Sequence, residues 1–132
     1  MERDALIAYK MYERDISRLC EYVHPTEKNY AVYSHRIYEL FFRLCTELEN
    51  LFKQKISSIN AERGVSHSVK SIEHYHILEN EWKLSQLSVG LMFTIEEGKF
   101  FRPFENWSKT HVLPWWQAYN KVKHNRLQNL HK

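Results

Sequence analysis

Asn120 and His124 lie four residues apart near the end of the chain, among Lys121, Lys123 and Arg126 and just after Trp115 and Trp116. On a helix, positions four apart are neighbours on one face. An imidazole that titrates near neutrality can take the proton from a ribose 2′-hydroxyl or return one to the leaving oxygen. The charge that builds on the phosphorus then needs a cation, best a guanidinium, because its fork matches two phosphate oxygens. In that chemistry Asn120 orients the ring or binds phosphate. Lys121, Lys123 and Arg126 attract the RNA backbone, and Trp116 stacks on a base. These are the groups needed to cleave RNA without a metal. The same residue types also make an ordinary solvated basic helix, so the motif chemistry alone leaves both readings open.

Charge segregation points the same way. Residues 106–132 contain no Asp or Glu, five Lys or Arg and three of the eight histidines. That tail carries +5 and residues 1–105 carry −2, within an overall formal charge of +3. The total is too mild to indicate a nucleic-acid partner by itself, whereas its concentration in one segment does.

The elements that must position this segment are mostly helical. A chain of 132 residues is one domain by default and long enough to bury a core. Its 43% apolar and 27% charged content fits a globular protein and excludes a disordered one. Eight Tyr, seven Phe and four Trp predict an aromatic core, and three Gly with three Pro favour long regular elements over turn-dense β architecture. Leu6, Tyr9, Ile16, Leu19 and Val23 predict a helix over 3–23, broken at His24-Pro25-Thr26. A second helix is expected over roughly 29–60, with a stripe at helical period from Tyr33 through Ile37, Leu40, Leu44 and Phe52 to Ile59. A polar connector follows over 61–71 with Gly64, then a short helix near 71–79. Leu87, Val89, Leu91, Phe93 and Ile95 alternate with polar or small neighbours, and Glu97-Gly98-Lys99 offers a turn. Together they predict a β-hairpin insertion at about 86–104. A last helix is expected from Pro114, because proline suits a helix's first turn. On it, Trp115, Ala118, Tyr119 and Val122 share the face expected to pack on the long helix. Asn120 and His124 point away, with Trp116 beside them. That outward side has no later element to cover it, so either a partner covers it or the chain is a trimmed part of a longer protein.

Tyr119-Asn120-Lys121-Val122-Lys123-His124, preceded by Trp115-Trp116 and followed by Asn125-Arg126, resembles the signature helix of HEPN domains. The long aromatic second helix over 34–51 is also similar to bacterial members of that superfamily. The resemblance covers the helical parts of the chain and implies a mainly α helical bundle over 1–132, forming a homodimer. It further implies either a metal-independent endoribonuclease of a bacterial defence or toxin–antitoxin system, or a non-catalytic module. Such a module binds RNA or a protein such as a nucleotidyltransferase-type antitoxin. The family motif is Arg, a polar residue, three variable residues and His. Asn120 matches the polar position, His124 matches the His, and Tyr119 occupies the Arg position. Arg126 lies roughly 200° round the helix from His124 and does not replace it, which leaves Arg36 or Arg43 of the long helix as candidate cations.

The remaining features are simpler. Cys20 and Cys45 both fall in helical apolar patterns and read as free thiols of a reducing cytosol. The N-terminus reads as neither a secretory signal nor a membrane anchor, and no apolar run approaches the roughly 20 residues that span a bilayer. The expectation is a cytoplasmic protein without membrane association. His67, His74 and His76 suggest zinc, but no Cys is nearby to complete four spaced ligands; they read as scattered histidines and no cofactor is expected. Glu47 and Glu49, two apart on a helix, diverge and cannot act as an acid/base pair.

Overall fold

The computed structural model describes residues 2–64, 75–90 and 100–124. The chain is mainly α-helical, with one small two-stranded antiparallel sheet among the described residues.

Helix α1 spans Glu2–Tyr22 and helix α2 spans His35–Glu62. They run antiparallel: Asp15 of α1 meets Arg43 of α2 at 2.7 Å, while Ala5 and Ala8 face the segment of α2 around Leu48 and Leu51. The α1 boundary agrees with the apolar period. The long helix starts six residues later than expected, because residues 27–29 close a separate 3-10 turn and Ser34 then caps α2. Ser34 is extended (φ −157°) and its Oγ accepts the Ile37 N–H at 3.2 Å. A serine at this position satisfies one of the donors a helix start leaves open. Tyr33 therefore lies outside the helix and is 54% exposed.

Beyond α2, Gly64 adopts φ +66° and closes the helix end. Helix α3 spans Ile77–Trp82 and overlaps the end of the expected short helix, whose first residues, 71–74, lie outside the described residues. It stops at Lys83, which takes a left-handed conformation (φ 53°), and a 3-10 turn over Leu84–Gln86 follows. The buried Glu79 carboxylate organises that turn by accepting from the Ser85 N–H at 2.8 Å and from the Ser85 hydroxyl. Strand β1 (Val89–Gly90) pairs antiparallel with β2 (Phe100–Phe101) in the register Val89↔Phe101 and Gly90↔Phe100. These are the two arms of the expected hairpin; its turn at 97–99 lies outside the described residues.

The core gathers where the second half of the chain folds back on α2. Phe52 and Trp107 stack at 6.2 Å and 13°, and Tyr75, Phe104, Leu78 and Leu113 close round them. Trp107 is delivered by a single helical turn, α4 (Trp107–Thr110), flanked by left-handed Asn106 and His111. Asn tolerates that conformation better than most residues. Thr110 Oγ1 donates to the Asn106 carbonyl at 3.0 Å and ties the two ends of the turn. Helix α5, Pro114–His124, then lies along α2. No described helix is long and apolar enough to cross a membrane.

Trp107 is fully buried with its ring on Phe52. Trp107→Ala is expected to lower unfolding free energy by about 3–5 kcal/mol, read by urea denaturation. A loss under about 1 kcal/mol would show that this stack does not organise the core.

Candidate nucleic-acid interface on the last helix

Helix α5 opens with the Gln117 N–H bonded to the Leu113 carbonyl at 3.1 Å, and Leu113 itself is buried. Trp116 and Tyr119 are buried, at 6% and 1% exposure. Trp115, Asn120 and Val122 are half-buried, and Gln117, Ala118, Lys121, Lys123 and His124 are exposed. The inward face is thus rotated roughly 80° from the one expected on a 100°-per-residue wheel. Ala118 turns out to solvent and Trp116 turns in.

The cause is a second wall. Besides α2, the helix meets Tyr75, whose ring stands edge-on to Trp116 at 5.3 Å. Burying an indole there removes far more apolar area from water than burying an alanine methyl. Trp116 is therefore a core residue and cannot stack on a base without opening the interior, which corrects the role expected for it. Trp115 remains at the margin and donates its Nε1–H to the Pro103 carbonyl at 2.8 Å.

Tyr119, which stands where the resembled motif would have Arg, is anchored inward. Its hydroxyl donates to Glu49 Oε2 at 2.9 Å and lies 3.3 Å from Thr46 Oγ1. Burial, followed by the hydrogen bond to Glu49, pushes the phenol above its ordinary value, so it stays protonated and donating. Glu49 also holds Lys53 Nζ at 3.0 Å and Lys123 Nζ at 3.6 Å. Burial alone would raise the Glu49 carboxyl. The hydrogen bonds from Lys53 and Tyr119 and the two lysine charges outweigh it and hold the group below its ordinary range. Lys123 additionally sits over the Tyr119 ring, 5.5 Å from its centroid. It is drawn back onto the protein instead of standing free for a phosphate.

His124 is exposed, and among the described residues it makes no hydrogen bond or ion pair. Asn120 stands one turn earlier with no hydrogen bond to it. Lys121 is exposed on the same side of the helix, and Arg126 lies outside the described residues. The two arginines considered as replacement cations are engaged elsewhere. Arg43 Nη2 bonds Asp15 at 2.7 Å and Arg36 Nη1 bonds Glu39 at 3.3 Å, both on the side of α2 that faces α1. Within one protomer's described residues, no guanidinium reaches the imidazole.

Glu49 is the centre of this region, which its pairing with Glu47 does not reveal. Its spacing does. Cys45, Glu49, Phe52, Ile56 and Ile59 follow one another at spacings of three and four, and all are buried, so the glutamate sits on an apolar stripe. A carboxylate at such a position needs donors. Both cysteines are free. Cys45 is buried and its thiol is pushed up to about 12, by burial first and then by Glu49, which keeps it unreactive. Among the histidines read as scattered, His76 Nε2 lies 2.9 Å from the Trp107 carbonyl and its ring stacks on His111 at 3.8 Å. No group of three or more potential metal ligands occurs among the described residues, and His67 and His74 lie outside them.

A carboxylate held below its ordinary value of 4.5 stabilises the fold above that value. The stabilisation is lost as pH falls through the lower, folded value. Glu49→Gln is expected to lower stability near neutrality by about 1–3 kcal/mol and to shrink the acid-induced loss relative to wild type. Chemical denaturation at about pH 7 and about pH 3 reads both effects; parallel pH profiles in the two proteins would exclude the role assigned to Glu49.

No family model, curated protein or solved structure matches this chain.

Proposed function

We propose that the chain is a HEPN-like helical module that binds RNA through its basic last helix and does not cleave it. The observation that carries the non-catalytic reading is Tyr119. The residue at the motif's cationic position is neutral, buried and hydrogen-bonded to Glu49. The same carboxylate takes Lys53 and Lys123, so the nearest cations are paired with an acid instead of aimed at a phosphate. Stabilising a pentavalent phosphorus requires donors already aimed at its oxygens, and an isolated imidazole supplies proton transfer alone.

RNA binding is supported by charge. The segment after residue 105 has no acid of its own, and Lys121 and His124 project from the exposed side of α5. Such contacts attract a phosphate backbone without reading its sequence. In this reading the protein acts in the cytoplasm as a homodimer whose last helices form a shared surface.

The test uses purified protein and total RNA in EDTA, with His124→Ala in parallel. Neither protein is expected to cleave. Labelled single-stranded RNA is expected to bind both with steep salt dependence, and Lys121→Ala lowers the slope of log K against log salt by about 0.7. Cleavage by the wild type that His124→Ala abolishes would replace this reading with the ribonuclease. Absence of RNA binding at low salt would point instead to a protein partner.

A further inference from the structure

The angle between α1 and α2 opens into a cleft of about 430 Å³. That volume lies in the range of small-molecule sites. Three guanidinium groups reach it, Arg18 from α1 and Arg36 and Arg43 from α2, together with two carboxylates, Asp15 and Glu39. Both carboxylates are already neutralised. Asp15 accepts from Arg43 at 2.7 Å and has Arg14 at 3.7 Å, and Glu39 accepts from Arg36 at 3.3 Å.

Donor capacity is left over. Arg18 makes no hydrogen bond or ion pair among the described residues. Arg43 binds Asp15 through Nη2; its Nε is enclosed, with no hydrogen-bond partner among the described residues, so Arg43 adds charge to the cleft and that nitrogen is not a reachable donor. Arg36 engages one of its nitrogens. Leu19 and Leu40 give the cleft apolar lining, and Tyr22, 88% exposed, stands at its margin.

We propose that this cleft binds a phosphomonoester carrying a compact apolar or aromatic body. Guanidinium forks from two helices suit a group that presents several charged oxygens in a tetrahedron. A lone carboxylate could engage only one such fork. The leucines and the exposed tyrosine ring would take the body of the ligand. The site is separate from α5 and is independent of the RNA-binding reading.

Isothermal titration at low ionic strength tests it, with phenyl phosphate, inorganic phosphate and phenol as probes. Phenyl phosphate is expected to bind saturably and more tightly than inorganic phosphate, and phenol not to bind. Arg18→Ala and Arg36→Ala should each weaken phenyl phosphate by about tenfold to a hundredfold. Arg18→Lys, which keeps the charge and loses the fork, should fall between wild type and Arg18→Ala. Lys10→Ala, on the same helix outside the cleft, should bind as wild type. Arg18 makes no hydrogen bond or ion pair among the described residues and acts on Asp15 only through its charge, and urea denaturation of Arg18→Ala beside wild type separates any loss of folding from loss of binding. A 5′-phosphorylated trinucleotide that binds more tightly than phenyl phosphate, and than its 5′-hydroxyl counterpart, assigns the group to a strand end. Weaker binding of the trinucleotide assigns it to a free small molecule. Lack of saturable binding of phenyl phosphate, or equal affinity in Arg18→Ala, overturns the proposal.

Discussion

The hydrogen bond from Tyr119 to Glu49 sets what the last helix can present. It anchors α5 to α2, while the packing of Trp116 on Tyr75 sets the helix's rotation, with Lys121 and His124 outward. It also draws in positive charge, because a half-enclosed carboxylate is stable only when donors and cations surround it. Glu49 collects three such partners, Tyr119, Lys53 and Lys123. An arginine in place of Tyr119 would have to stay out of the core to reach a phosphate. A tyrosine there does the reverse: its ring fills the interior and its hydroxyl ends on an acid. The helix is thereby committed to packing at Tyr119.

The aromatic core works with this constraint. Phe52 touches Tyr75, Phe104 and Trp107, and Trp116 links Tyr75 to Tyr119. These rings come from segments far apart in sequence, so helix periodicity in any one segment cannot reveal how they meet. The single turn α4 exists to deliver Trp107, and the left-handed residues at its two ends let the chain reverse direction within a few residues. Trp107 Nε1 is buried without a hydrogen-bond partner among the described residues. An unmet donor of this kind costs about 1–3 kcal/mol, which the ring's burial offsets.

Much of this architecture is legible in the residues. The apolar period locates α1 and α2, the alternating run from Leu87 contains β1, the turn residues at 97–99 anticipate β2, and Pro114 marks the start of α5. The start of α2 is misplaced because periodicity continues back through Tyr33. What stops the helix there is one hydroxyl, that of Ser34, reaching one backbone amide. The orientation of α5 is misplaced because two adjacent tryptophans define two plausible inward faces. The choice between them depends on Tyr75, which lies more than forty residues earlier. Asn120 and His124 are adjacent as the spacing requires. Their surroundings depend on Glu49, which is recognisable in sequence only as a charge on an apolar stripe.

Helix α1 differs from the other described α-helices in that none of its described side chains is fully buried. It is held against α2 by half-buried residues and by the Asp15–Arg43 pair, and it contributes nothing to the ring cluster round Phe52. A helix attached in this way can detach as a cooperative unit while the remainder stays folded, at a free energy well below that of global unfolding. Amide exchange along α1 would then run ahead of exchange in α2. Anything lodged in the angle between the two helices would act as a latch on that opening.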